Sequence, residues 1–271
     1  MSSDKLAQKI TTISESKGYH QIDIALVLGS GLAGFIDEIE NPCVIPYAQL
    51  EGFPGTGVEG HNPNLVIGTI ENTTVAVLGG RSHYYEHGDA AIMRLPLETM
   101  KAMGINNLLL TNSAGTAHNG LTTGDLMLIN DHLNLSGANP LIGEKTNNRF
   151  VNMSHAYQAK LQQLMRDSAQ SINFPLKEGV YAWFSGPNFE TPAEVSMAHK
   201  LGADALGMST VPEVILANFL KMNVVAISNI TNPGAGLSEI EISHQQTQDA
   251  AAESAENFAK LLKTFLKNFK A

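Results

Sequence analysis

The chain has 271 residues, of which 43% are hydrophobic and 16% charged, which suits one large α/β domain or two modest ones with a packed core. A formal net charge of −9 argues against a nucleic-acid-binding surface, because such a surface normally carries a basic stripe, although local donors can still bind a small anion. The single cysteine, Cys43, cannot form an internal disulfide, and the sequence shows neither an apolar signal core nor a membrane-spanning stretch, so we expect a cytoplasmic protein with no membrane partner.

Short apolar runs alternate with segments of helical spacing along the chain. The runs that predict strands are 22–28, 65–70, 75–78, 108–111, 126–129, 180–184 and 224–230. The segments that predict helices are 90–103, 155–171, 192–201 and 211–222, followed by a C-terminal helix with an apolar stripe from Phe258 to Phe269. This alternation is typical of an α/β domain, and the short connection between 65–70 and 75–78 predicts a hairpin and therefore a mixed sheet.

A glycine-rich loop follows the first predicted strand. Gly29, Gly31 and Gly34 satisfy the G-x-G-x-x-G pattern of dinucleotide-binding folds, which would favour a nicotinamide-dependent oxidoreductase. That pattern also needs a second strand ending in an acidic residue, and the segment 46–55 is instead rich in turn formers. A tight turn without a ligand is a second interpretation. We favour a third, a phosphate-sized anion site in which backbone N–H groups and the Ser30 hydroxyl donate.

A dense group of polar residues follows the strand predicted at 75–78. Arg81 offers a donor fork suited to phosphate, His83 can bond the same anion, Glu86 can orient that histidine, and Tyr85 can pack under a sugar. The alternative is a solvated loop in which Arg81 and Glu86 form an ion pair. A metal site from His83, Glu86 and His87 lacks a further ligand at characteristic spacing, so we predict no metal.

The segment 185–191 follows the strand predicted at 180–184 and precedes a helix that is expected to begin near Pro192. Glu190 would favour the N-terminus of that helix through its dipole, which is the interpretation without chemistry. Phe189 is either a core residue or a stacking surface for an aromatic base.

Three further apolar runs are each followed by small polar residues, at 111–116, 207–210 and 230–233. His244 is predicted to begin the long C-terminal helix, where a lone histidine is more often a capping residue than a catalyst. The carboxyl ends of strands are where open α/β sheets bind ligands. Together these strand ends predict one pocket with an anion pole and a polar–aromatic far end.

These residues resemble the trimeric, low-molecular-mass purine nucleoside phosphorylases, and the loop after Asn232 is similar to the bacterial branch that includes xanthosine and inosine–guanosine phosphorylases. The match runs from Leu28 to His244, in the family's order and spacing. The motifs that carry it are Gly80-Arg81-x-His83-x-Tyr85-Glu86, Thr111-Asn112-x-Ala114-Gly115, Gly186-Pro187-x-Phe189-Glu190-Thr191, the segment 202–213 and Ile230-Thr231-Asn232. The resemblance implies a single domain, 1–271, with a mixed, partly barrel-like central β-sheet flanked by helices.

The resemblance also implies the reaction, the cleavage of 6-oxopurine ribonucleosides or deoxyribonucleosides by phosphate to the free base and α-ribose 1-phosphate. Inosine and guanosine are the expected substrates and acceptance of xanthosine is left open; no cofactor is implied beyond phosphate as co-substrate. The implied phosphate site comprises Ser30, His61, Arg81, His83, the backbone at Ser113, and Ser209. The implied nucleoside contacts are Tyr85, Phe150, Phe189, Glu190, Met208, Asn232 and His244. The implied catalytic residues are His83, Glu86, Glu190 and Asn232. Phe150 would be lent to a neighbouring subunit, which implies a homotrimer.

The chemistry of the bond explains these expectations. Breaking the N-glycosidic bond builds positive charge on the sugar and negative charge on the purine, so phosphate can stabilise the first and an Asn232 amide N–H the second. Glu190 can accept the N1–H of a 6-oxopurine, whereas adenine presents a lone pair there.

Two departures and three alternatives qualify this interpretation. The residues around His61 and the segment 233–238 differ from relatives of the family. Methylthioadenosine phosphorylases are similar but commonly carry Asp at the position of Asn232, and they are the alternative within the family. A nicotinamide-dependent oxidoreductase and a nucleoside-binding protein without turnover are the alternatives outside it.

Overall fold

The computed structural model describes residues 1–53, 55, 62–239 and 243–270, and for His244 the backbone alone. Within these ranges the strands are β1 Ile24–Val27, β2 Glu40–Pro46, β3 Asn64–Ile70, β4 Thr73–Leu78, β5 Asn107–Thr116, β6 Leu126–Asn134, β7 Lys177–Trp183, β8 Ala205–Gly207 and β9 Asn223–Pro233. The helices are α1 Ser3–Glu15, α2 Tyr84–His87, α3 Arg94–Ala102, α4 Ala159–Ser171, α5 Pro192–Lys200, α6 Val211–Phe219, α7 His244–Glu253 and α8 Ala255–Asn268. Short 3-10 helices cover 33–38, 47–49 and 147–149.

The described strands form one mixed sheet that partly closes on itself. Their order is β2-β3-β4-β1-β5-β8-β7-β6-β9, and β9 also pairs with β5 in parallel. The second half of the sheet is therefore a closed ring, and β1, β4, β3 and β2 extend from it as an open arm. The predicted mixed, partly barrel-like α/β fold is confirmed; the domain span of 1–271 stays a prediction.

The predicted hairpin is confirmed as β3 and β4, which pair antiparallel from Leu65 opposite Leu78 to Ile70 opposite Thr73. Glu71 adopts a positive φ of 55° in the connection. Positive φ at a tight hairpin turn matches the right-handed twist of the flanking strands.

Alternation along the strands gives the sheet two apolar faces. In β1 all four residues are buried; Ala25 and Val27 pack with one core cluster, and Ile24 and Leu26 pack with another. Helices α1, α3 and α6 contribute to the first cluster, and α4 and α8 to the second. Because helices cover both faces, strands such as β1 are apolar throughout, as the sequence predicted.

The C-terminal segment differs from the prediction. Instead of one long helix from His244, α7 ends at Glu253 and α8 begins at Ala255, with Ser254 between them. The Ser254 hydroxyl lies 2.9 Å from Asn229 Oδ1 on β9, which ties this break to the sheet. The apolar stripe from Phe258 is confirmed, because it forms the buried face of α8.

Several strands are longer than predicted, and the extensions of β5 and β9 change where the motifs lie. β5 extends to Thr116 and β9 to Pro233, so the segments 111–116 and 230–233 lie within strands and do not follow them. Their small residues therefore form the C-terminal ends of β5 and β9, where the strand backbone borders the cavity described below. No helix in the described residues is long and apolar enough to cross a membrane.

Candidate active site

A cavity of about 400 Å³ lies where several strands end. It borders the loops after β1, β4, β7 and β8, the ends of β5 and β9, and Thr247 of α7. The sequence-predicted site residues that line it are Ser30, Arg81, His83, Tyr85, Ser113, Phe189, Glu190, Met208, Ser209 and Asn232. Further lining comes from Gly29, Asn112, Ala114, Gly115, Pro187, Leu206, Gly207, Thr231, Gly234 and Thr247.

The other four predicted site residues are not among these lining residues. Phe150 does not line the cavity of its own chain; it is 77% exposed, with the Arg149 guanidinium 5.0 Å from its ring centre. Glu86 lies beside His83 and outside the lining. His61 lies outside the described residues, and so does the side chain of His244.

The glycine loop after β1 packs closely against the backbone of β5. The Gly29 N–H donates to Thr111 Oγ1 at 2.9 Å, and a Cβ at Gly29 would lie 2.7 Å from the Asn112 Cα. Gly31 has a φ of 76°, and a Cβ there would clash with Ala251 of α7. Gly34, by contrast, has open space beside it and lies within the 3-10 helix 33–38, where the fingerprint would have an α-helix. The third glycine of a dinucleotide fingerprint serves helix packing, so the local structure does not fit that fingerprint.

Arg81 is held by a partner that sequence reasoning missed. Its Nε lies 2.9 Å from Oε1 of Glu213 on α6, an ion pair whose side chains are 1% and 3% exposed. The alternative in which Arg81 pairs with Glu86 in a solvated loop is therefore wrong. The signal for Glu213 was a lone acid in the otherwise apolar run 211–217, and a buried charge needs a partner.

Glu86 instead orients His83. Glu86 Oε1 lies 3.1 Å from His83 Nδ1 and accepts the His83 backbone N–H at 2.6 Å. The His83 ring stacks on Tyr85, with ring centres 4.9 Å apart and planes 12° from parallel. Burial, and then the Glu86 charge, raise the pKa of Tyr85 to about 12, so its hydroxyl stays protonated. A carboxylate at Nδ1 fixes the histidine ring at the edge of the cavity.

The N-terminus of α5 is capped by residues other than Glu190. Thr191 is the N-cap of α5, and its side chain accepts from the Glu194 N–H at 3.2 Å, while Glu194 accepts the Thr191 N–H at 2.8 Å. Glu190 is left bordering the cavity. Its Oε1 is buried with no hydrogen-bond partner among the described residues, and burial is the main cause that raises the pKa of this carboxyl. A buried acceptor without a partner is a group that a ligand N–H can satisfy.

Asn232 lies at a bulge between β5 and β9. The register shifts where Gly115 pairs with Asn232, which leaves Thr231 as the extra residue of β9. Asn232 Nδ2 donates to the Pro233 carbonyl at 2.9 Å, and Oδ1 lies 3.0 Å from Thr231 Oγ1. One N–H of the amide therefore remains for a ligand, since the amide nitrogen has two.

Gly115→Ala is expected to lower turnover selectively, because the new Cβ would lie only 2.9 Å from Asn232 Nδ2 and push the amide out of place. We expect kcat to fall by roughly tenfold or more, on the scale of losing one aligned hydrogen bond to developing charge. Steady-state kinetics of the variant check this. Gly34→Ala, at a glycine with open space beside it and without a positive φ, is the control for glycine replacement as such. An unchanged kcat for Gly115→Ala would contradict the tight contact.

In the described part of the chain no group of three or more His, Cys, Asp or Glu side chains is arranged to hold a metal ion.

Comparison with known proteins places this geometry in context. The family model of the phosphorylase superfamily matches residues 23–267. Purine nucleoside phosphorylase 1 of Bacillus subtilis (strain 168) is 42% identical over 249 residues, which cover 91% of this chain and 92% of that one. The purine nucleoside phosphorylase of Schistosoma mansoni in complex with inosine superposes with a TM-score of 0.91 at 31% identity, covering 99% of this chain and 96% of that one. The Schistosoma mansoni structure in complex with adenosine superposes with a TM-score of 0.89 at 32% identity, covering 99% of this chain and 97% of that one.

Proposed function

The chain belongs to the phosphorylase superfamily and within it to the purine nucleoside phosphorylases, which are pentosyltransferases, and from this premise we propose that it cleaves 6-oxopurine nucleosides with the residues of the cavity described above. Phosphate is the co-substrate, and the products are the free base and α-ribose 1-phosphate. The single observation that carries the assignment of roles is that one cavity joins a buried arginine at one end to Glu190 at the other, whose buried Oε1 has no hydrogen-bond partner among the described residues.

The anion end binds phosphate through Ser30, Arg81, His83, Ser113 and Ser209. Their donors converge from the loops after β1, β4 and β8 and from the end of β5. Ser113 Oγ donates to the Ser30 carbonyl at 2.8 Å, which holds the glycine loop against β5. Preorganised donors of this kind hold an anion without reorganising as the reaction proceeds.

The phosphate bound there attacks C1′ of the nucleoside from the face opposite the base. The C1′–N9 bond breaks as the C1′–O bond forms, and its electron pair goes to the purine. Positive charge that develops on the sugar lies next to the phosphate dianion. Tyr85 and Met208 contact the ribose between the two ends of the cavity.

The base end takes up the charge of the departing purine. The free N–H of Asn232 donates to N7 or O6 of the base, and this bond strengthens as negative charge develops there. Phe189, which is 37% exposed, offers its ring as a stacking surface.

Glu190 selects the base. Its carboxylate accepts N1–H of hypoxanthine or guanine, while adenine would leave a buried acceptor facing a lone pair. Binding of adenosine by a relative does not contradict this, because selection is expressed in turnover. The alternative within the family, a methylthioadenosine phosphorylase, is disfavoured by Asn rather than Asp at position 232.

We further propose a cytoplasmic homotrimer in which each chain lends Phe150 to a neighbouring site. A phenylalanine that is 77% exposed and outside its own cavity supports this assembly. His61 and His244 are proposed for the phosphate and the ribose 5′-hydroxyl on sequence grounds.

A substrate panel tests the specificity. Inosine, guanosine, xanthosine, adenosine and methylthioadenosine are each incubated with the protein and phosphate, and base release is followed by chromatography. We expect kcat/KM for inosine and guanosine to exceed that for adenosine by at least about 100-fold, the scale of rejection when a buried polar group is left unpaired. Comparable turnover of adenosine or methylthioadenosine would overturn the role of Glu190 while leaving phosphorolysis intact.

The raised pKa of Glu190 predicts a pH effect with a definite sign. The ionised carboxylate is the acceptor for N1–H, so kcat/KM for inosine should fall as pH drops through a value above the ordinary 4.5 of a Glu side chain. Over the same range the adenosine-to-inosine ratio should rise, because a neutral carboxyl can donate to adenine N1. Kinetics from pH 5 upward test this, and Glu190→Gln should remove the change in ratio. A ratio that does not depend on pH would contradict it.

Shared sites predict complementation between two impaired variants. Phe150→Ala and Asn232→Ala chains, unfolded and refolded together, should form some sites with an intact Asn232 and an intact partner Phe150. Activity of the mixture should exceed the sum of the two parents. Simple additivity in a mixture shown to form mixed trimers would contradict a shared site.

A further inference from the structure

Thr210, which does not line the cavity, has a strained backbone conformation and does not cap the helix that it precedes, and local structure explains neither feature. It is fully buried and has φ 72° and ψ −53°, with the Val211 N–H donating to the Ser209 carbonyl at 2.8 Å. This is a classic γ-turn, which is rare and strained, and a β-branched residue at positive φ is a genuine outlier. Thr210 is also the N-cap of α6, yet its hydroxyl makes no cap hydrogen bond. Strain of this kind persists where surrounding structure holds it, typically at functional sites.

The Thr210 hydroxyl is instead turned toward the anion end of the cavity. Asn112 Nδ2 donates to Thr210 Oγ1 at 2.8 Å, and Arg81 Nη1 donates to it at 3.3 Å. Both neighbours are donors, so the two lone pairs of the hydroxyl are occupied. The remaining proton of Thr210 has one acceptor within reach among the described residues, Ser209 Oγ at 3.1 Å.

The same accounting fixes the direction of the Ser209 hydroxyl. Ser209 Oγ accepts from Arg81 Nη1 at 3.0 Å and from Thr210, so its lone pairs are also occupied. Its own proton is left to donate, and Ser209 lines the cavity. The Glu213 carboxylate at Arg81 Nε keeps the guanidinium in the orientation that supplies both bonds.

We propose that Thr210 is a positioning residue that fixes the Ser209 hydroxyl as a donor to the phosphate, through a one-way hydrogen-bond chain supplied by Arg81 and Asn112. The inference rests on the proposed function, since it assumes that phosphate binds beside Ser209. The chain is buried, so each bond polarises the next more strongly than it would in water. The strain at Thr210 is what places its hydroxyl between the three partners and away from its own helix.

Three substitutions at Thr210 test this. Thr210→Val removes the hydroxyl at nearly constant shape, Thr210→Ser keeps it, and Thr210→Gly removes it at a residue that adopts positive φ without strain. The matched control is Thr99→Val, a fully buried threonine of α3 whose hydroxyl bonds the Leu95 carbonyl, away from the cavity. Thermal unfolding of each variant, and KM for phosphate and for inosine separately, are measured.

The KM for phosphate should rise roughly tenfold in Thr210→Val and Thr210→Gly, the scale of losing one aligned hydrogen bond to an anion. KM for inosine should not change, Thr210→Ser should approach the wild type, and Thr99→Val should leave both KM values unchanged. If Thr210→Val does not fold, Thr210→Gly decides. An unchanged KM for phosphate in Thr210→Gly, or an equal rise in both KM values, would overturn the proposal. A wild-type protein that releases hypoxanthine without needing phosphate would instead refute the proposed function, before any variant is compared.

Discussion

Asn232→Ala is expected to lower kcat for inosine phosphorolysis by about 100- to 1,000-fold, the usual effect of removing one donor to developing negative charge. The reason is that the Asn232 amide N–H donates to the purine where that charge develops, and this hydrogen bond is stronger in the transition state than in the ground state. KM for phosphate should stay close to the wild-type value, because phosphate binds at the other end of the cavity. Steady-state kinetics with hypoxanthine release as the signal measure both constants.

Asn232→Asp separates this role from a general loss of packing. The substitution keeps the shape at the β5–β9 bulge but replaces the amide N–H. Inosine turnover should therefore fall, and the ratio of adenosine to inosine turnover should rise. Unfolding curves for both variants serve as the control, since Asn232 is only partly buried. A ratio of adenosine to inosine turnover that does not shift would remove Asn232 from base recognition.

Arg81→Met is expected to destabilise the protein by about 3–5 kcal/mol, because it leaves the Glu213 carboxylate buried without a counter-charge. Phosphate-dependent activity should be lost at the same time. The double variant Arg81→Met/Glu213→Leu should recover most of the stability, since an apolar pair can replace a buried ion pair, while activity remains absent. Urea unfolding at equilibrium gives the free energies.

Arg166→Met provides the matched control for that experiment. Arg166 and Glu178 form a two-bond ion pair at 2.7 and 2.8 Å, with both side chains about one-third exposed. Its loss should cost no more than about 1 kcal/mol, as is usual for exposed pairs. An Arg81→Met variant no less stable than Arg166→Met would contradict the buried ion pair. Recovered activity in the double variant would remove Arg81 from the phosphate site.

Most of the fold could be predicted because buried strands are visible in the sequence as apolar runs. The elements that sequence analysis missed lack that signal. β2 is an edge strand with a mostly exposed first half and a proline at each of positions 42 and 46, β8 has three residues, and α1 buries only Leu6, Ala7, Ile10 and Ser14. The prediction of a single C-terminal helix was wrong: the break falls at Ser254, whose hydroxyl contacts Asn229 on β9, and such a tertiary contact cannot be identified from the local sequence.

The site was less predictable than the fold, for a physical reason. Which residues border the cavity follows from the strand ends, and these were identified. The pairing of side chains around the cavity depends on how elements far apart in the chain orient them toward one another. Sequence proximity therefore suggested Glu86 for Arg81, whereas the fold brings Glu213. The hydroxyl of Thr210 likewise has no local signature, because its partners come from β5 and from the loop after β4.

The measurement that tests the account most directly is hypoxanthine release from inosine with and without phosphate, with the sugar product identified. We predict release only when phosphate is present, with one ribose 1-phosphate formed for each hypoxanthine. Release at the same rate without phosphate, with free ribose as the sugar product, would contradict the phosphate site at Ser30, Arg81 and Ser209.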